Sequence, residues 1–84
     1  MIGELGNGGL KAGKNMLSIR AAQKAAATRK ELGGNVNFIS TTAFARPKEH
    51  SPNVGHGHHW FGNAESYFLI GDALGGGMVE LLKK

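Results

Sequence analysis

The stretch Asn15-Met16-Leu17-Ser18-Ile19-Arg20-Ala21-Ala22-Gln23-Lys24-Ala25-Ala26-Ala27-Thr28-Arg29-Lys30-Glu31-Leu32 decides the fold. It is rich in alanine and holds no proline or glycine, so it predicts a helix over 15–32. On a helical wheel Leu17, Ala21, Ala25, Thr28 and Leu32 share one face. Arg20, Gln23, Lys24, Lys30 and Glu31 gather on the other, which is expected to face water. Gly33-Gly34 supplies a C-cap. Upstream, Met1, Ile2 and Leu5 read as a short strand that runs into the turn Gly6-Asn7-Gly8-Gly9. Downstream, Val36-Asn37-Phe38-Ile39-Ser40 is β-branched and aromatic, bounded by turn formers, and reads as a second strand. Strand, helix and strand with short connections imply a parallel βαβ unit with a right-handed crossover.

Ala64 to Leu82 reads as a final helix. Asn63 is placed to cap it, and Glu65 lies in its first turn. Tyr67, Ile70, Leu74, Met78 and Leu81 fall along one face. Gly75-Gly76-Gly77 is the expected weak point, where the helix bends or frays. Lys83 and Lys84 suit its carboxyl end. The order is βαβα, an α/β class.

Composition bounds what such a chain does. It has 84 residues, fourteen glycines, no cysteine and six aromatic residues. That makes for a thin core with no disulfide to assist it. A two-stranded sheet leaves strand edges open, so a marginal fold that self-associates through those edges is expected. The formal charge is +4. No nucleic-acid motif accompanies it, so a solvated helix face accounts for the charge better than nucleic-acid binding does. No apolar run approaches the ~20 residues of a membrane span. Met1 to Leu10 lacks the basic start and apolar stretch of a signal peptide.

Thr41 to Gly62 shows no periodicity and holds both prolines, all four histidines and the single tryptophan. Such loops gather functional residues at the carboxyl ends of parallel strands. Its centre is His50-Ser51-Pro52-Asn53-Val54-Gly55-His56-Gly57-His58-His59-Trp60, and three chemistries compete there. His56, His58 and His59 are candidate metal ligands, though a structural zinc site wants four fixed ligands and no cysteine is present. One histidine, His59 by its place between strand and helix, is a candidate acid–base catalyst. On composition alone, each of the four is better accounted for as a solvated loop residue or one that bonds a backbone carbonyl. Trp60 either stacks on a sugar ring or packs beneath the loop. Arg46 either positions a ligand, caps a carbonyl or faces water.

The run Gly57-His58-His59-Trp60-Phe61-Gly62-Asn63-Ala64-Glu65-Ser66-Tyr67-Phe68-Leu69-Ile70-Gly71-Asp72-Ala73-Leu74-Gly75 resembles the end of the sialate O-acetylesterase-like carbohydrate esterases, which are SGNH hydrolases. Ile2-Gly3-Glu4-Leu5-Gly6, Ile19-Arg20-Ala21-Ala22-Gln23 and Phe44-Ala45-Arg46-Pro47 extend the likeness over nearly the whole chain. The resemblance implies a three-layer α/β/α fold of which residues 1–84 are the C-terminal portion, with 41–62 as the histidine-bearing loop and 64–82 as the last helix. It implies hydrolysis of acetyl esters on sugars by a serine, with His59 as its base and no cofactor. Trp60, Arg46 and His58 would then contact an acetylated carbohydrate. A secreted or periplasmic parent is implied in the same way. The family's serine block and oxyanion block have no counterpart here, so the chain alone is expected to be inactive. Many SGNH enzymes carry an aspartate three residues before the histidine. His56 occupies that place, and Glu49 is the candidate substitute. His58 stands where the family has tyrosine, and Phe61 where it has asparagine.

Overall fold

Glycine and polar residues, more than apolar ones, set the architecture. In the computed structural model, residues 1–32 and 34–83 are described. Strand β1 covers Ile2–Gly3, helix α1 Lys14–Ala27, strand β2 Phe38–Ile39 and helix α2 Ala64–Leu82. The strands pair in parallel, Ile2 with Phe38 and Gly3 with Ile39. The chain is thus mixed α/β in the order βαβα. Short 3-10 turns fill the connections, including Gly9–Lys11 after β1, and Thr42–Phe44, Lys48–His50 and Gly57–Gly62 between β2 and α2.

Helix α1 ends five residues short of the predicted Leu32. Thr28 donates through its hydroxyl to the Ala25 carbonyl at 2.9 Å, and its amide turns to the same oxygen. A threonine that bonds back in this way competes with the helical ladder and closes it. A separate 3-10 turn follows at Lys30–Leu32. The predicted cap therefore does not close α1; Gly34 is left-handed at φ 79°, and Gly33 lies outside the described residues, as does Lys84.

The larger correction concerns which way α1 faces. Its inner residues are Met16, Arg20, Gln23 and Ala27, while Leu17, Ala21 and Ala25 are exposed. Arg20 is only 7% exposed. The helix packs against the turn that follows β1, and that turn presents backbone carbonyls and amides, so its partner has to be polar.

Gln23 also alters the expectation of open strand edges. Its side-chain amide donates to the Gly3 carbonyl at 3.1 Å, and its carbonyl accepts from the Leu5 amide at 2.9 Å. A neighbouring parallel strand would offer one residue's N–H and C=O to the same two groups. Gln23 thus stands in for a strand along the outer edge of β1, a means of blunting it.

Helix α2 is continuous through Gly75-Gly76-Gly77 and does not fray there. Asn63 caps it as expected, its Oδ1 accepting from the Ser66 amide at 3.0 Å. Ser66, Ile70, Leu74, Gly77 and Leu81 face inward, whereas Tyr67 and Met78 are nearly half exposed. Gly77 is where α2 crosses β2. A Cβ there would overlap the Ile39 Cδ1, with Ile39 Cγ1 at 2.9 Å and Met1 Sδ at 3.1 Å, while at Gly75 and Gly76 it would meet open space. Gly77→Ala is therefore expected to destabilise the fold by about 1–3 kcal/mol through overpacking. Gly76→Ala should stabilise it by up to about 1 kcal/mol through helix propensity. Chemical denaturation of the two variants checks the opposite signs.

Among the described residues no hydrophobic side chain is fully buried. The radius of gyration is 13.9 Å, against about 12 Å for a compact chain of this length. The extents of 42 × 27 × 14 Å describe a slab rather than a ball. No described helix is long and apolar enough to cross a membrane.

Candidate functional site

Both parallel strands end at the same side of the molecule, and the loops that leave them meet there. The turn after β1 is held from behind by α1. Arg20 donates from Nε to the Leu5 carbonyl at 2.5 Å, from Nη1 to Gly9 at 2.9 Å and from Nη2 to Asn7 at 3.0 Å. One planar guanidinium thereby takes three carbonyls of one turn, a geometry that suits its fixed fork of donors.

The turn is tied to the loop after β2 by Glu4. Its Oε1 accepts from the Thr42 hydroxyl at 2.6 Å, the Thr42 amide at 2.8 Å, the Thr41 amide at 2.9 Å and the Ser40 hydroxyl at 3.0 Å. The Thr41 hydroxyl returns a bond to the Glu4 carbonyl at 2.8 Å. Gly6 lies so close to Thr41 that a Cβ would overlap its hydroxyl.

Desolvation pushes the Glu4 carboxyl upward, but the hydrogen bonds from Thr42, Thr41 and Ser40 outweigh it and hold the group below its ordinary value of 4.5. A depressed carboxylate contributes stability above the unfolded pKa and loses it as pH falls through the folded one. The unfolding midpoint should thus drop on acidification below pH 4.5, and Glu4→Gln should flatten that drop. Urea titrations of both proteins across the acid range measure it.

A cleft of about 600 Å³ opens between these loops. Gly8, Gly9, Leu10 and Lys11 form one wall, and Thr42, Ala43 and the run Ala45 to Glu49 form the rest together with Trp60 and Phe61. The sequence candidates Arg46 and Trp60 therefore share one cavity. Arg46 also forms an ion pair with Glu65 in the first turn of α2 and donates to the Ala43 carbonyl at 3.2 Å.

The histidines stand beside this cleft rather than in its lining. The amides of His59 and Phe61 both donate to the His56 carbonyl at 3.0 Å, and the Tyr67 hydroxyl donates to the His59 carbonyl at 2.7 Å. The rings of His56 and His59 are 6.2 Å apart, and those of His58 and His59 6.1 Å. Just past His59 the backbone is strained. Trp60 and Phe61 both adopt φ 55°, and Gly62 follows at φ 66°. Two adjacent non-glycine residues in the left-handed region cost of order 1–3 kcal/mol each, and such strain clusters at functional sites.

Among the described residues no ion pair joins His59 to a carboxylate, Glu49 included, and no group of three potential ligands is gathered for a metal, so His56, His58 and His59 do not form such a set. Three of the four serines are committed elsewhere. Ser66 is fully buried and donates to the Phe44 carbonyl at 2.6 Å. Ser51 donates to Pro47 at 2.9 Å, and Ser40 to Glu4.

Glu4, Arg20, Gln23 and Thr42 organise the site without being read as site residues from sequence. The spacing Met16, Arg20, Gln23, Ala27 was the available signal, since it follows one helical stripe beside a glycine-rich turn. Comparison with family models, with curated proteins and with solved structures finds no match to this chain.

Proposed function

We propose that the chain is the C-terminal segment of a carbohydrate O-acetylesterase of the sialate O-acetylesterase-like SGNH type, and that His59 is its base. The observation that carries this reading is the strained turn immediately after His59, set beside a cleft at the carboxyl ends of two parallel strands. In the reaction a serine from another segment attacks the acetyl carbonyl. His59 accepts the hydroxyl proton and returns it to the departing sugar oxygen. Water then attacks the acyl-enzyme, His59 taking its proton and passing it to the serine oxygen as acetate leaves. Trp60 offers a ring face to the sugar and Arg46 a hydroxyl-binding edge, both in the same cleft. The sheet with helices before and after β2 is a piece that a three-layer α/β/α domain contains, and a secreted or periplasmic parent belongs to the same reading. A metal-binding protein has less support, because the histidine rings do not converge on a point with other ligands.

Sequencing the DNA directly upstream of the Met1 codon tests the proposal. An in-frame extension encoding a glycine-flanked serine block and an oxyanion block is the expected result. A stop codon there, with a ribosome-binding site at Met1, would sink it.

A further inference from the structure

We infer that two copies of this chain pair through the outer faces of α2, antiparallel about a two-fold axis at Gly75; the inference is independent of the esterase reading. Along the side of α2 opposite Ser66, Ile70 and Gly77 run Phe68, Gly75, Val79 and Leu82. Phe68 is 73% exposed, Val79 51% and Leu82 78%. Apolar side chains of this size along one stripe of a helix mark a surface that needs a cover. The need is acute in a chain where no described hydrophobic side chain is fully buried.

The stripe is self-complementary, and this points to a second copy as the cover. Phe68 and Leu82 each lie seven positions from Gly75, about 10 Å along the axis in opposite directions. A two-fold axis at Gly75 therefore brings Phe68 of one copy beside Leu82 of the other, twice over, as an isologous interface requires. At the crossing point Gly75 has open space where a Cβ would stand, and so does Gly71 one turn earlier. Two helices can approach closely there because no side chain holds the backbones apart.

The helix dipoles, opposed in an antiparallel pair, agree with this orientation. The sheet edge is the weaker route, because Gln23 already occupies the outer edge of β1 and β2 is only two residues long.

Sedimentation at micromolar concentration should give twice the 8.8 kDa of one chain. Gly75→Leu should shift the protein to monomer, since a bulky side chain separates the crossing, while Gly76→Ala, off the stripe, should leave the dimer in place. The chain has no cysteine, so single cysteines report contacts cleanly. A mixture of Phe68→Cys and Leu82→Cys proteins should oxidise to a mixed disulfide, and Gly75→Cys to a symmetric one. Because both residues are exposed in the single chain, these variants also report on α2 pairing if Gly75→Leu fails to fold. A monomer at these concentrations, a dimer that survives Gly75→Leu, or cross-linking through Ser40→Cys in place of the α2 positions would overturn the inference.

Discussion

Arg20→Ala is expected to lower the unfolding free energy by about 3 kcal/mol or more. The guanidinium serves the Leu5, Asn7 and Gly9 carbonyls at once. Hydrogen bonds from a charged donor contribute roughly 1.5–3 kcal/mol each, and three that share one group are not additive. Removing the side chain leaves carbonyls facing a gap behind a glycine-rich turn. That turn forms one wall of the cleft, so the loss of stability should come with loss of the cleft. Arg20→Lys should recover only part of it, because an ammonium on a flexible stem cannot present the planar fork. Urea denaturation followed by far-UV circular dichroism gives the magnitude, and the fluorescence of the single tryptophan, Trp60, reports on the cleft separately. An Arg20→Ala protein as stable as the parent chain would mean that the turn is held by Gln23 and Glu4 alone.

The same residue shows where sequence reading stopped short. The βαβα order was legible, because a run of alanine without glycine or proline stands between two short β-prone runs. The direction in which α1 faces was not. A wheel sorts residues by affinity for water and assigns the apolar stripe to the interior. Here the interior beside α1 is a backbone turn, and backbone carbonyls select Arg20 and Gln23 over Leu17 and Ala21. The early end of α1 has a similar cause, since one threonine hydroxyl returning to Ala25 outweighs the propensity of the residues beyond it. Arg46 and Trp60, which line the cleft, lie on the long loop after β2 that stands out in the sequence for its lack of periodicity. Glu4 was not legible. Its role depends on Ser40, Thr41 and Thr42, more than thirty positions away, and only strand pairing brings them together.

In an esterase assembled from this chain and a serine-bearing segment, His59→Ala should reduce kcat on an acetylated sugar by about 10²-fold or more, the contribution expected of a general base. His56→Ala and His58→Ala should each stay within a few-fold of the unmodified enzyme. The distinction rests on position. The backbone at His59 is held on both sides, by its own amide on the His56 carbonyl and by the Tyr67 hydroxyl on its carbonyl. The backbone at His56 is held as well, its amide on the Asn53 carbonyl at 3.0 Å, but His56 and His58 stand further from the strained turn at Trp60, which His59 adjoins. Fixing the backbone limits the places an imidazole can reach, and a base has to lie within hydrogen-bond reach of the proton it takes. Tyr67→Phe should lower kcat by less than His59→Ala does, because it frees the backbone without removing the imidazole. If His58→Ala carried the large loss and His59→Ala did not, the base would be one residue earlier in the turn. If neither did, the histidines would be bystanders and the esterase reading would lose its chemistry.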